Sequence, residues 1–175
     1  TSPAMLAAAR KAQPYLAFEE GDLATWSPPK PADLLFSNAA LQWVPRHLDV
    51  MERLLRSLAP GGVLAVQMPN NLDEPSHRLM AEAAAAGPWA AKLAAAGAAR
   101  DPLPAPEDYC RRLKPFCAML DLWQTTYCHP LRGTAGIVDW LKTTGLRPYL
   151  APLTPDEQTG FLAAYEARLT QAYPK

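Results

Sequence analysis

The strongest constraint on the fold is a pair of compact apolar segments separated by one amphipathic stretch. Residues Ala32–Asn38 and Val63–Met68 are short apolar runs, as expected of strands buried on both faces of a sheet. Between them, His47–Leu58 places leucine and methionine side chains at helical spacing, and Pro60–Gly62 ends that helix. Because short connections join a strand, a helix and a strand, we expect an open, mostly parallel α/β sheet.

The residues before this unit extend the pattern. Ser2 is predicted to cap a helix that has Pro3 at its first position and runs to Ala12. Tyr15–Glu19 alternates apolar side chains, which predicts a short strand, and Glu20–Leu23 is predicted to turn. Ligands of open α/β sheets bind beyond the carboxyl ends of the strands, so the residues that follow each strand are the candidate site.

The second half of the chain is predicted to be mainly helical. Met119–His129 alternates well enough to predict a long strand among these helices. Gly145 is expected to cap the third helix and Thr154 to begin the fourth. The predicted helices are 76–86, 107–113, 134–144 and 154–172.

Composition excludes several classes of function. The chain has 17 basic and 17 acidic residues, and this balance argues against a nucleic-acid partner. No apolar run approaches the roughly 20 residues that cross a bilayer, and the first residues do not resemble a signal peptide. We therefore expect a cytoplasmic protein without a membrane partner. Its 3 cysteines form no CxxC pair, so neither a metal site nor a redox site is expected.

Four segments together resemble one superfamily. They are Ser2–Met5 (SPAM), Gly21–Leu23 (GDL), Asn38–Trp43 (NAALQW) and Leu58–Leu64 (LAPGGVL). They are similar to a helix start, the adenine-binding turn, the fourth strand with its loop, and the corner before the fifth strand of class I S-adenosylmethionine-dependent methyltransferases. The resemblance implies a Rossmann-like sheet with helical cap insertions, and S-adenosyl-L-methionine as cofactor with S-adenosyl-L-homocysteine as product.

Later segments narrow the resemblance. Ala65–Asn71 (AVQMPNN), Glu74–His77 (EPSH), Asp121–Tyr127 (DLWQTTY) and Asp139–Pro148 (DWLKTTGLRP) resemble the trans-aconitate 2-methyltransferase family. The resemblance implies an enzyme that esterifies a carboxylate of a small tricarboxylic acid. It also implies a division of the chain into four parts. These are a partial cofactor-binding core (1–71), a helical substrate cap (72–117), a core strand (118–131) and a helical substrate-side segment (132–175).

The sequence departs from that family at both ends. The family's glycine-rich loop and following acidic residue would precede Thr1, and its last antiparallel strand would follow Lys175. In the family's sheet order the missing first strand is central, and only the fourth and fifth strands would be neighbours here. Such a sheet would leave unpaired edges and exposed apolar faces. We therefore expect the chain to be truncated, or its missing segments to come from elsewhere.

The resemblance assigns cofactor contacts residue by residue. Asp22 would accept a hydrogen bond from the adenine amino group, with Leu23 packing nearby, unless Asp22 is only a solvated turn residue. Asn38 and Ala39 would meet the cofactor through their backbone, although Asn38 could equally cap a turn. Trp43 could close over the ligand or cover the core.

Substrate contacts follow from the same resemblance. A carboxylate is already ionised at neutral pH, so no general base, and hence no catalytic residue beyond positioning groups, is expected. A tricarboxylate favours arginine, which pairs with carboxylates through two hydrogen bonds, and Arg147 is the first candidate. The other candidates are neutral donors or residues just beyond the fifth strand: Gln67, Asn71, His77, Tyr127 and His129.

Two alternatives remain open at this point. The same fold could methylate a different small-molecule acceptor, or the chain could be a non-catalytic fragment. The sequence leaves open which carboxylate would be methylated and what the oligomeric state is.

Overall fold

The computed structural model describes residues 3–173. The chain forms two compact units. The first, here the sheet unit, comprises Thr1–Pro69 and Leu103–Leu122, and the second, here the helical unit, comprises Asn70–Pro102 and Trp123–Lys175. The helices are α1 Pro3–Ala12, α2 His47–Arg56, α3 Pro75–Ala86, α4 Ala90–Ala95, α5 Pro106–Leu113, α6 Gly133–Lys142, α7 Arg147–Leu150 and α8 Pro155–Ala172.

Strands β1 (Ala32–Asn38) and β2 (Leu58–Gln67) form a parallel pair in the sheet unit, as predicted. The strand β2 begins at Leu58 rather than at Val63, because the Pro60–Gly62 segment bulges out within the strand. Ala32 pairs with Leu58, whereas two residues later Leu34 already pairs with Val63. Gly61 has φ +80° there, and a Cβ at Gly62 would lie 2.7 Å from the Ala32 carbonyl oxygen, so both positions favour glycine.

One face of this sheet carries the core of the sheet unit. Leu35, Leu64 and Val66 point to that face and pack on a buried cluster formed by Leu41, Val50, Met51, Leu54, Tyr109 and Leu113. This cluster buries the apolar stripe of α2, confirming the helical spacing seen in the sequence.

The prediction that both strands are buried on both faces is wrong. Leu34 and Phe36 are 61% and 71% exposed, and Val63 on the paired strand is 54% exposed. Side chains alternate between the two faces of a strand. Only the opposite face is covered by helices within residues 3–173.

Two predicted strands are also wrong. Tyr15–Glu19 and Met119–His129 form no strand, and Tyr15 and Trp123 are 98% and 74% exposed. An extended segment becomes a strand only when a neighbour satisfies its backbone N–H and C=O groups. Within residues 3–173, β1 and β2 pair only with each other, so the proposed core strand in 118–131 has no partner.

The predicted helices are confirmed, with small shifts at their ends. The helix α1 ends at Ala12 as expected, whereas its predicted cap, Ser2, lies outside the described residues. Thr154 forms a capping box at the start of α8: Glu157 N–H donates to Thr154 Oγ1 at 3.3 Å, and Thr154 N–H donates to Glu157 Oε2 at 2.7 Å.

The expected glycine cap of α6 is wrong. The helix ends at Lys142, and Gly145 does not adopt a positive φ. Instead, Leu146 N–H donates to the Leu141 carbonyl at 2.9 Å. A Cβ at Gly145 would lie 3.4 Å from His77 Nε2, an ordinary contact distance, so this position does not require glycine.

The helical unit has its own core. It joins α3 to α8 and includes Met80, Leu146, Phe161, Tyr165 and Leu169, all almost completely buried. The Tyr165 hydroxyl donates to the Ser76 carbonyl at 2.7 Å, so the start of α3 is fixed to the core of this unit.

Candidate functional site

At the carboxyl ends of β1 and β2, the tight turn that follows β1 is hydrogen-bonded to the end of β2. Asn38 pairs with Gln67 in the strand register, and Ala39 N–H donates to the Gln67 carbonyl at 3.0 Å. Ala39 has φ +50°, a left-handed conformation that is uncommon for a residue with a Cβ. The structure therefore brings Asn38, Ala39 and Gln67 together at the sheet edge where ligands of parallel sheets bind.

A short 3₁₀ turn, Leu41–Trp43, follows. Leu41 is completely buried, whereas Trp43 is 49% exposed. Leu41 therefore supplies the core contact from this turn, and much of the indole of Trp43 remains accessible to a ligand.

Gln42, in the same turn, was missed by the sequence reasoning. Its side chain is only 7% exposed, and its Nε2 donates to the Ala39 carbonyl at 2.7 Å. Its Oε1 is buried without a hydrogen-bond partner among the described residues. An unpaired buried acceptor costs about 1–3 kcal/mol, and only the folded turn shows that this amide points inwards.

The predicted turn at Asp22 is confirmed. Asp22 Oδ1 accepts from Ala24 N–H at 2.9 Å, and its carbonyl accepts from Trp26 N–H at 2.7 Å. Arg53 holds the turn in place by donating to the Leu23 carbonyl at 3.1 Å. A carboxylate has about four acceptor positions, so the turn bond leaves Asp22 able to accept a further hydrogen bond.

An open cavity of about 410 Å³ lies beside this turn. Leu23 and Trp26 give it apolar walls, and Gly21 borders it where a Cβ would lie 3.3 Å from the Trp26 ring. The lining residues are Ala17, Glu19, Glu20, Gly21, Leu23 and Trp26.

In the helical unit, two predicted substrate residues meet around an arginine that the sequence reasoning did not name. Arg100 Nη2 donates to Asn71 Oδ1 at 2.7 Å. His77 lies close enough for the charge of Arg100 to act on it, and Ser76 Oγ is 3.2 Å from His77 Nδ1. We call Asn71, Ser76, His77 and Arg100 the Arg100 cluster.

Burial sets the charge of this cluster. Desolvation, reinforced by the positive charge of Arg100, lowers the pKa of His77 to about 4. Desolvation also lowers the pKa of Arg100, but a guanidinium stays protonated at neutral pH. At pH 7 the cluster therefore contains a neutral imidazole beside one positive charge.

Tyr127 and His129 form a separate aromatic group in the helical unit. Their rings stack with centroids 6.1 Å apart, and His129 meets the edge of Trp140 at 4.9 Å. Tyr127 and His129 are both exposed. The structure thus brings these two predicted residues together at the surface, without a hydrogen bond to the Arg100 cluster among the described residues.

Arg147, the first sequence candidate, is exposed at the start of the four-residue helix α7. Its guanidinium makes no hydrogen bond or ion pair with the residues that the structure describes. No contact among these residues links Arg147 to the Arg100 cluster, and its role stays a prediction. Sequence reasoning did not single out Arg100, because it follows an alanine-rich stretch and its burial depends on contacts distant in sequence.

Two absences hold for residues 3–173. In that range, no three His, Cys, Asp or Glu side chains come together in a way that could hold a metal ion. No helix in that range is long and apolar enough to cross a membrane.

Comparison with known proteins identifies the class. A family profile described as a methyltransferase domain matches residues 1–66, the part that contains β1, all of β2 but its last residue, the Asp22 turn and the Ala39 turn. Together with the parallel α/β architecture, this match defines a class I methyltransferase, for which S-adenosyl-L-methionine is the methyl donor.

Curated relatives identify the family. Proteins named trans-aconitate 2-methyltransferase from Methylobacterium nodulans and Rhizobium leguminosarum bv. trifolii are 54% and 53% identical over 174 and 171 residues. These alignments cover 99% and 98% of this chain and 67% of each relative. A namesake from Methylobacterium radiotolerans is 51% identical over 177 residues, covering 99% of this chain and 68% of the relative. The chain therefore belongs to the trans-aconitate 2-methyltransferase family, confirming the resemblance seen in the sequence.

Proposed function

We propose that this protein transfers the methyl group of S-adenosyl-L-methionine to a carboxylate oxygen of trans-aconitate or a closely related small acid. The observation that supports this most strongly is that relatives bearing the trans-aconitate 2-methyltransferase name are more than half identical to it over 98–99% of the chain. The chain spans about two thirds of the length of these relatives, so the proposal concerns the activity to which this chain contributes.

The residues of the sheet unit fit the cofactor. The cavity beside Asp22 has two apolar walls, Leu23 and Trp26, that suit a flat heterocycle. Asp22 follows the lining residue Gly21 in the chain and keeps acceptor capacity beyond its turn bond, and Gly21 leaves space where a side chain would crowd Trp26. We assign Asp22 and Leu23 to the adenine, as the resemblance implies.

The second proposed cofactor contact is the turn after β1. The left-handed conformation of Ala39 costs roughly 1 kcal/mol or more, and strained backbone of this kind is often retained where a ligand binds. Here Asn38 and Ala39 would present backbone groups, and Trp43, which is half exposed, would cover the ligand.

The bound cofactor supplies an electrophilic methyl group on a sulfonium, and the remaining work falls to positioning. One C–S bond breaks and one C–O bond forms, leaving S-adenosyl-L-homocysteine and a methyl ester. The carboxylate that accepts the methyl is ionised at neutral pH, so no residue needs to remove a proton. The protein must hold the carboxylate in line and exclude water, which together can lower the barrier by several kcal/mol.

On the substrate side, we propose Gln67 from the end of β2, and Asn71, His77, Tyr127, His129 and Arg147 from the helical unit. Asn71 and His77 are supported by their place in the Arg100 cluster. We also propose a cytoplasmic setting, in keeping with three unpaired thiols at Cys110, Cys117 and Cys128.

The proposal is tested by comparing acceptors. Initial rates of methyl transfer would be measured with trans-aconitate, cis-aconitate, citrate and the triamide of trans-aconitate. We expect the highest kcat/KM with trans-aconitate and no transfer to the triamide, because the amide offers no carboxylate oxygen. Comparable rates on the triamide would show that the acceptor is not a carboxylate.

A matched pair of variants tests the cofactor assignment. Asp22→Ala is expected to weaken S-adenosyl-L-homocysteine binding about 10-fold, the loss of one hydrogen bond to a charged acceptor. Asp33→Ala, which removes another exposed carboxylate of the sheet unit, should leave binding unchanged. Equal affinities for the two variants would remove Asp22 from the site.

A further inference from the structure

Gln42 lies in the 3₁₀ turn that follows β1, and its side chain reaches back to the turn residue Ala39. The residue is 7% exposed, and one end of its amide lies 2.7 Å from the Ala39 carbonyl oxygen. A carbonyl oxygen only accepts hydrogen bonds, so this end is the NH₂ group, Nε2. The other end, Oε1, is buried and makes no hydrogen bond with the residues that the structure describes.

The backbone of Ala39 is held by hydrogen bonds at both of its polar groups. Its N–H donates to the Gln67 carbonyl at the end of β2 at 3.0 Å, and its carbonyl accepts from Gln42. Between these two bonds Ala39 has φ +50°, in the left-handed region that a residue with a Cβ seldom adopts. The two bonds therefore offset the steric cost of that conformation, one from the sheet and one from the glutamine side chain.

The turn that carries Gln42 is itself fixed. Leu41, the residue before it, is completely buried in the core of the sheet unit. On the other side, Trp43 N–H donates to the Ala40 carbonyl at 3.1 Å. Val44 N–H then donates to the Leu41 carbonyl at 3.0 Å. A side chain that orients a binding site requires such a fixed backbone.

A packing role alone does not explain an amide at this position. A buried acceptor that lacks a partner raises the energy of the folded state, and a methionine of similar length would fill the same space without that cost. The sheet unit thus carries two unfavourable features just after β1, the left-handed Ala39 and the buried Oε1 of Gln42. Features of this kind concentrate where a protein binds a ligand.

We propose that Gln42 is a positioning residue for the cofactor: its bond to the Ala39 carbonyl holds the backbone of Asn38 and Ala39 in the conformation that receives S-adenosyl-L-methionine. The amide of Gln42 is buried, so it acts through the turn and does not touch the cofactor. Without the bond, the turn would adopt the receiving conformation for a smaller fraction of the time, and the observed affinity would fall by that fraction. The inference rests on the proposed function, which assigns this turn to the cofactor.

The test compares Gln42→Met with Gln13→Met, which alters an exposed glutamine of the same unit, by calorimetric titration with S-adenosyl-L-homocysteine and by urea unfolding. We expect Gln42→Met to weaken binding roughly 3- to 10-fold, the loss of one neutral hydrogen bond. Its urea midpoint should be no lower than that of the wild type, because the buried Oε1 is removed and water can reach the exposed Ala39. Gln13→Met should match the wild type in both measurements. Wild-type affinity in Gln42→Met, or a lower urea midpoint, would overturn the proposal.

Combining Gln42→Met with Ala39→Gly shows whether Gln42 acts through the conformation of Ala39. Glycine adopts φ +50° without strain, so in the Ala39→Gly background the loss of the amide should weaken binding less than about twofold. A loss as large as in the protein with Ala39 would refute this mode of action. Gln42→Asn covers the case in which Gln42→Met does not fold, because its shorter side chain keeps the amide and cannot make the 2.7 Å bond. It should weaken binding by a similar factor, and wild-type affinity would again refute the proposal.

The same titrations separate this proposal from the proposed function. If S-adenosyl-L-homocysteine binds the wild type, binds Gln42→Met more weakly and no acid is methylated, the positioning role stands and the proposed function fails. If trans-aconitate is methylated and Gln42→Met binds S-adenosyl-L-homocysteine as the wild type does, only the positioning role fails. A folded wild type that binds no S-adenosyl-L-homocysteine contradicts both.

Discussion

The hydroxyl of Tyr165 provides a quantitative test of how the helical unit supports the Arg100 cluster. It is buried within the unit and donates to the Ser76 carbonyl at 2.7 Å. Burial, with a smaller effect from Tyr173, raises the pKa of Tyr165, so the hydroxyl keeps its proton and acts as donor. Tyr165→Phe removes this one donor and keeps the ring.

The expected cost follows from the environment of the bond. A buried acceptor left unpaired costs about 1–3 kcal/mol. Ser76 is only partly buried, so water can reach its carbonyl, which places the expected loss in unfolding free energy near the lower end, at about 1–2 kcal/mol. Urea unfolding followed by circular dichroism measures it as a shift of the midpoint at constant m.

Tyr173→Phe is the matched control. Its hydroxyl accepts from the N–H of the same residue, Ser76, at 3.2 Å, but the bond is exposed. We expect less than about 0.5 kcal/mol for this variant, as for most surface changes. If Tyr165→Phe is as stable as the wild type, or Tyr173→Phe costs more than Tyr165→Phe, then the buried hydroxyl does not hold the start of α3.

Three further predictions concern other parts of the chain. Thr154→Ala removes the cap of α8 and should lower the unfolding free energy by about 1 kcal/mol, measured as a lower Tm. An unchanged Tm would mean that the capping box with Glu157 adds nothing to stability. Ala39→Gly should raise the unfolding free energy by up to about 1 kcal/mol, because glycine adopts φ +50° without strain. Ala39→Val should lower the unfolding free energy. If urea unfolding shows the valine variant to be more stable than the glycine variant, the left-handed turn is contradicted. His77 has its pKa lowered to about 4 in the folded protein, so the unfolded chain binds its proton more readily and stability should fall as pH drops from about 6.5 towards 4. His77→Gln should lose that part of the pH dependence, and identical Tm profiles for the two proteins would refute the shift.

The sequence predicted elements whose formation is local. The apolar stripe of α2 and the capping box at Thr154 each lie within a few residues, so pattern and spacing sufficed. The alternating segments at Tyr15–Glu19 and Met119–His129 failed because strand formation needs a partner elsewhere in the chain. Periodicity records which side chains could face a core and does not record whether a neighbouring strand is present.

The site residues likewise divide into those that a local pattern or the family resemblance could indicate and those that depend on the tertiary structure. The Asp22 turn could be predicted, since a short Gly-Asp segment after an alternating run favours a turn. Asn71 and His77 were predicted as substrate residues from the family resemblance. The residue that joins them, Arg100, lies 29 positions from Asn71 and was not foreseen. Burial of a cation depends on the tertiary structure, so no motif near Arg100 indicated it.

Identifying the product tests whether the methyl group goes to a carboxylate of trans-aconitate. The purified protein would be incubated with trans-aconitate and S-adenosyl-L-methionine carrying a ¹³C-labelled methyl group, and the product examined by NMR. Methyl transfer to a carboxylate predicts one new labelled resonance in the O-methyl ester region, with S-adenosyl-L-homocysteine formed in equal amount. Label on carbon, or no transfer by a protein that binds S-adenosyl-L-homocysteine, would contradict it.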